Sequence, residues 1–206
     1  MPERTSWPTK DDLKKLPLGA IVAYAVRCAR RVKPLYGRAA GMAEFRKHEA
    51  AVEWAISLAE SFCLSHDVSA PAYAAAYAAR DAAGATDVRD AARAAAAAAR
   101  AAAYAFDVPK SSVYDQPFYA SRVAAEAVDA AQAAARAADH ASGVASAVEA
   151  AARADFDRLS SLNLGTYPEL GQPIDSTKNG PLGPLWPEGA PEWFAVVKPA
   201  SRTKTT

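Results

Sequence analysis

The chain contains little cysteine or histidine, two residue types that many enzymes and metalloproteins use for chemistry. Its 206 residues include only two cysteines and three histidines, and it has neither a G-x-S-x-G motif nor a glycine-rich phosphate loop. The N-terminal residues lack the apolar stretch of a secretory signal, and charges interrupt even the long alanine runs. Cys28 and Cys63 fall in apolar helical patterns, where a thiol usually behaves as a small buried hydrophobe. We therefore predict a cytoplasmic protein without a disulfide or a membrane span.

Metal-binding patterns begin in two places and are incomplete in both. His48 begins the zinc-protease pattern H-E-x-x-H, but Val52 stands where the second histidine is required. Cys63 and His66 have a spacing found in metal sites, yet even with the distant Cys28 the set is one ligand short of a structural zinc site. We therefore predict no metal and no cofactor.

One group of titratable residues, Glu126, Asp129 and His140, could serve in acid/base catalysis. All three lie on one stripe of a predicted helix, at intervals that equally suit ordinary surface pairs. The chain also offers no nucleophile with a positioned base. We therefore predict that the protein is not an enzyme.

Neither sign of charge is in large excess. The formal net charge is +1, so the chain lacks the basic excess typical of dedicated nucleic-acid-binding proteins. The charges are nevertheless unevenly placed, since residues 1–48 carry 11 Lys and Arg against 4 Asp and Glu, and the remainder carries 13 against 19. A basic N-terminal hairpin packed beside acidic helices would neutralise both groups within the protein. We predict no nucleic-acid partner.

Alanine dominates the middle of the chain, where 40 of the 85 residues from Ala70 to Ala154 are alanine. Alanine has the highest intrinsic helix propensity, and its small side chain lets neighbouring helices pack at short distances. Together with the apolar periodicity, this composition predicts an all-α bundle of about six helices in antiparallel hairpins. The predicted helices cover residues 17–33, 41–64, 71–84, 87–106, 119–142 and 144–162.

The first two predicted helices carry charges that face each other across their hairpin. Arg27 and Arg31 lie on one side of the first helix, which we expect to end before Pro34. Glu53 and Glu60 form a stripe on the second helix, and a short connection favours antiparallel packing. We expect the two arginines to meet the two glutamates in a structural ion-pair network.

Two sets of side chains among the alanines are candidates for binding a partner. Arg89, Arg93 and Arg100 line up on the fourth predicted helix, where guanidinium groups could bind phosphate or an acidic protein surface. Tyr73 and Tyr77 lie one turn apart on the third helix, and tyrosine offers rigid contact area with a polar tip. A solvated arginine face and tyrosines that fill gaps between alanine-lined helices are the competing interpretations.

The composition changes near the C-terminus, where residues 164–206 hold half of the chain's 14 prolines. This segment also contains Trp186 and Trp193, whose large apolar side chains are unfavourable in water. We predict an extended strap that packs on a helical domain of residues 1–163, with the two tryptophans as anchors.

Three stretches carry a resemblance to known proteins: RCARRVKPLYG at residues 27–37, AVEWAISLAESF at 51–62, and the low-complexity region of the type AAYAARDAA. In these stretches the chain resembles a loose group of uncharacterised alanine-rich helical bacterial proteins, found mainly in planctomycete-like genomes. That resemblance implies no function. The chain is also similar in general character to the alanine-rich helical immunity proteins of polymorphic toxin systems, which implies a small cytoplasmic inhibitor that binds a cognate toxin.

We expect a non-catalytic helical protein that binds another protein, and an immunity-type inhibitor of a bacterial toxin is the sharpest form of this hypothesis. One alternative is an enzyme or small-ligand binder with a pocket between helices, beneath the C-terminal segment near Tyr24, His48 and Cys63. Another is a structural scaffold or homo-oligomer, and the oligomeric state does not follow from the sequence.

Overall fold

The computed structural model describes residues 7–36, 45–67, 72–84, 89–142 and 145–196. Within these ranges the fold is all-helical, as predicted, and contains no β-strand. The helices are α1 (Lys10–Leu13), α2 (Leu18–Tyr36), α3 (Phe45–Ser65), α4 (Ala72–Gly84), α5 (Arg89–Asp107), α6 (Gln116–Ser142), α7 (Ala145–Ser161) and α8 (Glu192–Val196). The predicted count of about six is too low for this part of the chain, because α1 and α8 are too short to produce a periodic apolar pattern.

Several predicted boundaries lie outside the described residues. These are the helix starts at residues 41, 71, 87 and 144 and the last residues of the chain, 197–206.

Pro34 does not end the first long helix, contrary to the prediction, because α2 continues to Tyr36. Proline removes one hydrogen bond and crowds the carbonyl four residues earlier. In return, Leu35 and Tyr36 bury their side chains in the core, at 2% and 0% exposure. Burial of these two residues offsets the penalty in the last turn of the helix.

α5 is the central helix of the bundle. It packs against α2, α3, α4 and α6, and each of its alanines is at most 1% exposed. Because alanine adds only a methyl group, neighbouring helices can approach α5 from several sides. Asp90, near the start of α5, lies 3.2 Å from Arg136, near the end of α6, so these two helices run antiparallel.

The segment after α7 hydrogen-bonds to the ends of α2 and α3. At the N-terminus of α2, the amide of Gly19 donates to the carbonyl of Leu170 at 2.9 Å. Near the C-terminus of α3, the carbonyl of Cys63 accepts a hydrogen bond from the amide of Ile174 at 2.7 Å. Helix ends leave backbone groups without intrahelical partners, and residues 164–191 supply such partners here.

Candidate protein-interaction surface

Four aromatic rings meet at one end of the bundle, where the start of α4, the end of α5 and the start of α6 come together. The ring of Tyr73 on α4 lies edge to face with that of Tyr104 on α5, with centroids 5.9 Å apart. Tyr104 is in turn 6.2 Å from Tyr119 of α6, whose ring is 5.5 Å from that of Phe118. Antiparallel packing of the three helices therefore builds a continuous aromatic cluster from residues that are distant in sequence.

Charged side chains contact two of these rings. The hydroxyl of Tyr73 donates a hydrogen bond to the carboxylate of Asp107 at 2.7 Å, and burial together with this carboxylate raises the pKa of Tyr73. The guanidinium carbon of Arg122 lies 5.3 Å from the centre of the Tyr104 ring, within the range of cation–π attraction. Because Arg122 also donates to Glu126 at 3.1 Å, its position over the ring is itself held.

Four exposed apolar side chains belong to this cluster or lie one helical turn or a short loop away from it along the chain. Tyr114 is 94% exposed, Val113 78%, Phe118 61% and Tyr77 60%. Tyr77 lies one turn after Tyr73 and therefore on the same side of α4. We refer to the following set as the aromatic end surface: Tyr73, Tyr77, Tyr104, Val113, Tyr114, Phe118 and Tyr119.

The loop that presents the two most exposed residues of this surface is held by its own hydrogen bonds. The hydroxyl of Ser111 donates to the carbonyl of Asp107 at 2.7 Å. The hydroxyl of Ser112 donates to the carboxylate of Asp115 at 2.7 Å and accepts from the Asp115 amide at 3.3 Å. A loop with a fixed backbone loses less conformational entropy on association, so these apolar groups are pre-organised for binding.

The predicted arginine stripe does not form a free basic face. Arg93 lies 3.4 Å from Asp90, and Arg100 lies 2.8 Å from Glu126. These two carboxylates are 8% and 3% exposed, and each takes a second arginine from α6, which is Arg136 and Arg122 respectively. Arg89 is exposed at the start of α5. Two of the three predicted arginines are therefore engaged within the protein. Arg100 connects α5 to α6 directly, whereas Arg93 shares Asp90 of its own helix with Arg136 of α6.

The predicted partners of Glu53 and Glu60 are wrong. Arg30 donates to Glu53 at 2.7 Å and to both carboxylate oxygens of Glu60 at 2.7 and 2.6 Å. Arg27 and Arg31 are buried instead, at 1% and 0% exposure. Successive residues of a helix are rotated by about 100°, so Arg31 lies about 100° and Arg27 about 60° away from Arg30 around α2. Both therefore reach Asp155 of α7, whereas Arg30 faces α3.

Arg27 and Arg31 share a buried carboxylate that was not predicted. Nε of Arg27 lies 2.9 Å and Nη2 of Arg31 lies 2.6 Å from Oδ2 of Asp155. Both arginines also donate to backbone carbonyls of the C-terminal segment, those of Ser176, Gly183, Pro184 and Leu185. A signal for this site is present in the sequence, because Asp155 lies four residues before Leu159 and so on the apolar side of α7.

The residues considered for acid/base catalysis do not come together. Glu126 is held by arginines, whereas His140 lies 3.7 Å from Asp90. Nor does the described part of the chain contain a group of three or more His, Cys, Asp or Glu side chains arranged to hold a metal ion.

Both cysteines are free thiols in the core. Burial raises the pKa of the Cys28 thiol to about 12 and raises that of Cys63 as well. Since the thiolate is the reactive form, both groups are poor nucleophiles in the folded protein.

Two of the three residues proposed to line a pocket lie inside the core. Tyr24 and Cys63 are fully buried in the core. A cavity of about 450 Å³ does lie beneath the C-terminal segment, but its lining comes from other residues, including Arg30 and Trp186.

Comparison with protein-family models, curated proteins and solved structures finds no match to this chain. In the ranges that the structure describes, no helix is both long and apolar enough to cross a bilayer. In its described part the protein is all-helical. Six large apolar side chains are exposed there, and four of them belong to the aromatic end surface.

Proposed function

We propose that the protein is a non-catalytic, cytoplasmic binding protein of bacterial origin and that the aromatic end surface contacts a protein partner. The observation that carries this proposal is the concentration of exposed apolar side chains there, since four of six in the described residues share one end of the bundle. Single exposed apolar residues are ordinary, whereas a contiguous patch rimmed by polar groups is typical of interaction sites.

The composition of the surface supports the same function. Tyrosine and arginine are enriched among the residues that carry most of the binding energy at protein interfaces. Tyr114 and Phe118 project apolar rings that a partner can enclose, and Arg122 beside them is 44% exposed. Charge-assisted hydrogen bonds from Arg122 would set the orientation of the partner.

An immunity-type inhibitor of a bacterial toxin is the most specific form of the proposal. It is supported by the similarity in general character to alanine-rich helical immunity proteins. A tightly packed bundle with a pre-organised surface also suits an inhibitor, because such a surface binds with little reorganisation. In this form the partner is a toxin that is blocked in a stoichiometric complex.

The test compares the wild-type protein with two surface variants, Tyr114→Ser and Phe118→Ser. Leu64→Ser is the matched control, because Leu64 is a 53% exposed apolar side chain on α3. Each tagged protein is used to capture partners from the native lysate. We expect the wild type and the control to retain one stoichiometric partner and the surface variants to bind it at least about tenfold more weakly.

The partner's activity then tests the immunity-type form. A captured toxin should arrest growth when expressed alone, and the wild type should rescue growth where Tyr114→Ser does not. Binding that survives both surface variants contradicts the assignment of this surface. A wild type that doubles its mass in light scattering, while the variants stay monomeric, would assign the surface to a homo-oligomer instead.

We further propose that residues 164–196 act as a strap that fixes the helices relative to one another. The support comes from backbone carbonyls of this segment that accept hydrogen bonds from Arg27 and Arg31 on α2. Trp186 and Trp193 are each 7% exposed, and their rings lie edge to face with centroids 5.8 Å apart. Such a strap would keep the aromatic end surface rigid by stabilising the bundle that carries it.

A further inference from the structure

The cavity beneath the C-terminal segment has apolar walls. It opens between α2, α3 and this segment and has a volume of about 450 Å³. Pro184, Leu185, Trp186 and Phe194 contribute apolar surface to it, and the rings of Trp186 and Phe194 meet edge to face at 5.5 Å. A mostly apolar cavity of this size, with a few polar groups at its border, is typical of small-molecule sites.

The charged side chains around the cavity are mainly positive. Arg27, Arg30 and Lys178 border it, against one carboxylate, that of Glu60. Arg30 donates to both oxygens of Glu60. Arg27 donates to Asp155 at 2.9 Å, a carboxylate that it shares with Arg31, and to three backbone carbonyls of the C-terminal segment. Lys178 has no such partner among the residues that the structure describes. It is therefore the cation that a ligand can neutralise.

Lys178 belongs to a turn with a fixed backbone. The amide of Thr177 donates to the carboxylate of Asp175 at 2.8 Å. The carbonyl of Ser176 accepts a hydrogen bond from Arg27 at 3.2 Å, which ties the turn to α2. The position of Lys178 at the border of the cavity is thus set by the same arginine that holds the C-terminal segment.

We propose that this cavity binds a small aromatic carboxylate, with its ring against Trp186 and Phe194 and its carboxylate at Lys178. The apolar body of such a ligand matches the walls, and its single negative charge matches the cation that lacks a partner. This site is independent of the proposed protein-binding function, because the cavity and the aromatic end surface share no residue.

The test uses two probes of nearly equal shape, 4-phenylbutyrate and its neutral amide, 4-phenylbutanamide. Binding to the full chain is measured by isothermal titration and ligand-observed NMR. We expect the carboxylate to bind roughly three- to tenfold more tightly than the amide. Lys178→Gln should abolish this preference, while Lys10→Gln, which removes an exposed lysine on α1, should preserve it.

A second variant and a spectroscopic signal locate the site. Ala190 borders the cavity and is exposed, so Ala190→Phe should block both probes while the thermal unfolding of the protein stays close to that of the wild type. The indole N–H resonance of Trp186, assigned with Trp186→Phe, should shift during the titration of the wild type.

Three affinity results would overturn the proposal. The first is the absence of carboxylate binding at millimolar concentration, and the second is equal affinity for the two probes. The third is a carboxylate preference that Lys178→Gln leaves unchanged. Binding without a shift of the Trp186 resonance would place the probe elsewhere on the protein and would equally contradict this site.

Discussion

Arg27 donates a hydrogen bond from Nε to Oδ2 of Asp155 at 2.9 Å, between two side chains that are each 1% exposed. Arg31 donates to the same carboxylate oxygen at 2.6 Å. One buried carboxylate thus joins α2 to α7, and the two arginines extend the connection to carbonyls of the C-terminal segment. Three parts of the fold therefore depend on one side chain.

Replacing this carboxylate by an amide should destabilise the protein strongly. Asp155→Asn leaves two buried guanidinium groups without a compensating charge, and removal of one partner from a buried ion pair costs about 3–5 kcal/mol. We expect a lower midpoint of urea unfolding with little change in the slope.

Asp157→Asn is the matched control, because Asp157 pairs with Arg153 at 3.1 Å on the surface and is 57% exposed. Its loss should lower the free energy of unfolding by no more than about 1 kcal/mol. Similar midpoints for the two variants would show that the buried cluster contributes no more than a surface pair.

Gly19 allows the C-terminal segment to approach α2 closely. A Cβ atom at this position would lie 2.9 Å from the carbonyl oxygen of Leu170 and 2.9 Å from Nε2 of His66. The backbone oxygen cannot yield unless the segment moves, so Gly19→Ala should weaken the hydrogen bond between these two chain segments. We expect a loss of about 1–3 kcal/mol in the free energy of unfolding.

Hydrogen exchange provides the measurement that is specific to this contact. The amides at positions 19 and 174 should exchange faster in Gly19→Ala. Gly84→Ala is the control, since a Cβ at Gly84 meets nothing within 4 Å, and it should be neutral or slightly stabilising. Equal exchange and equal stability in the two variants would contradict the close approach.

The positions of the long helices along the chain could be predicted from the sequence, whereas the ion pairs between their side chains could not. Helix propensity and apolar period act within one element, so the prediction of a helix over residues 119–142 lies close to α6 at Gln116–Ser142. The choice of Arg30 over Arg27 and Arg31 as the partner of α3 depends on the rotation of α2, which is set by packing with the other helices. The role of Asp155 depends in addition on where the C-terminal segment returns to α2.

The candidate surface was predicted only in part. The sequence indicates Tyr73 and Tyr77 as large side chains among alanines, and both belong to the aromatic end surface. The sequence does not single out Val113 and Phe118, because the exposure of a loop residue and of a residue in the first turn of α6 depends on what packs above it. The sequence places Arg100 on a stripe with Arg89 and Arg93, but Arg100 itself faces α6 and its carboxylate partner Glu126.

The ion pair between Arg30 on α2 and Glu53 on α3 should make a small contribution to the free energy of unfolding, and this contribution should depend on pH. Burial raises the pKa of Glu53, but hydrogen bonds from Arg30 and Lys33 outweigh it and bring the pKa below its usual value. A carboxyl group with a lower pKa in the folded state stabilises the fold above its unfolded pKa, about 4.3. That contribution is lost as the pH falls through the folded pKa.

Glu53→Gln should therefore lower the free energy of unfolding at pH 7 and converge with the wild type in acid. The side chain of Glu53 is 41% exposed, so solvent screening limits the difference at pH 7 to about 0–1 kcal/mol. Urea unfolding of both proteins across this range measures it. A difference that stays constant from pH 7 into acid would exclude the charge of Glu53 as its cause.

Trp186 should be the main apolar anchor of the C-terminal segment. It is 7% exposed, its ring packs against Trp193 at 5.8 Å and Phe194 at 5.5 Å, and the guanidinium carbon of Arg31 lies 5.7 Å from its centre. Truncation of a buried tryptophan costs about 3–5 kcal/mol. We expect Trp186→Ala to lower Tm by roughly 6–20 °C.

Limited proteolysis distinguishes release of the segment from general loss of stability. In Trp186→Ala, cleavage should accelerate first within residues 164–196, because the ring contacts with Trp193 and Phe194 and the contact with Arg31 of α2 are lost. Trp54→Ala is the control, since Trp54 is 42% exposed on α3, and it should leave both Tm and the cleavage pattern nearly unchanged. If Trp186→Ala melts and is cleaved like the wild type, the segment does not pack on the bundle through this residue, and the proposed strap is wrong.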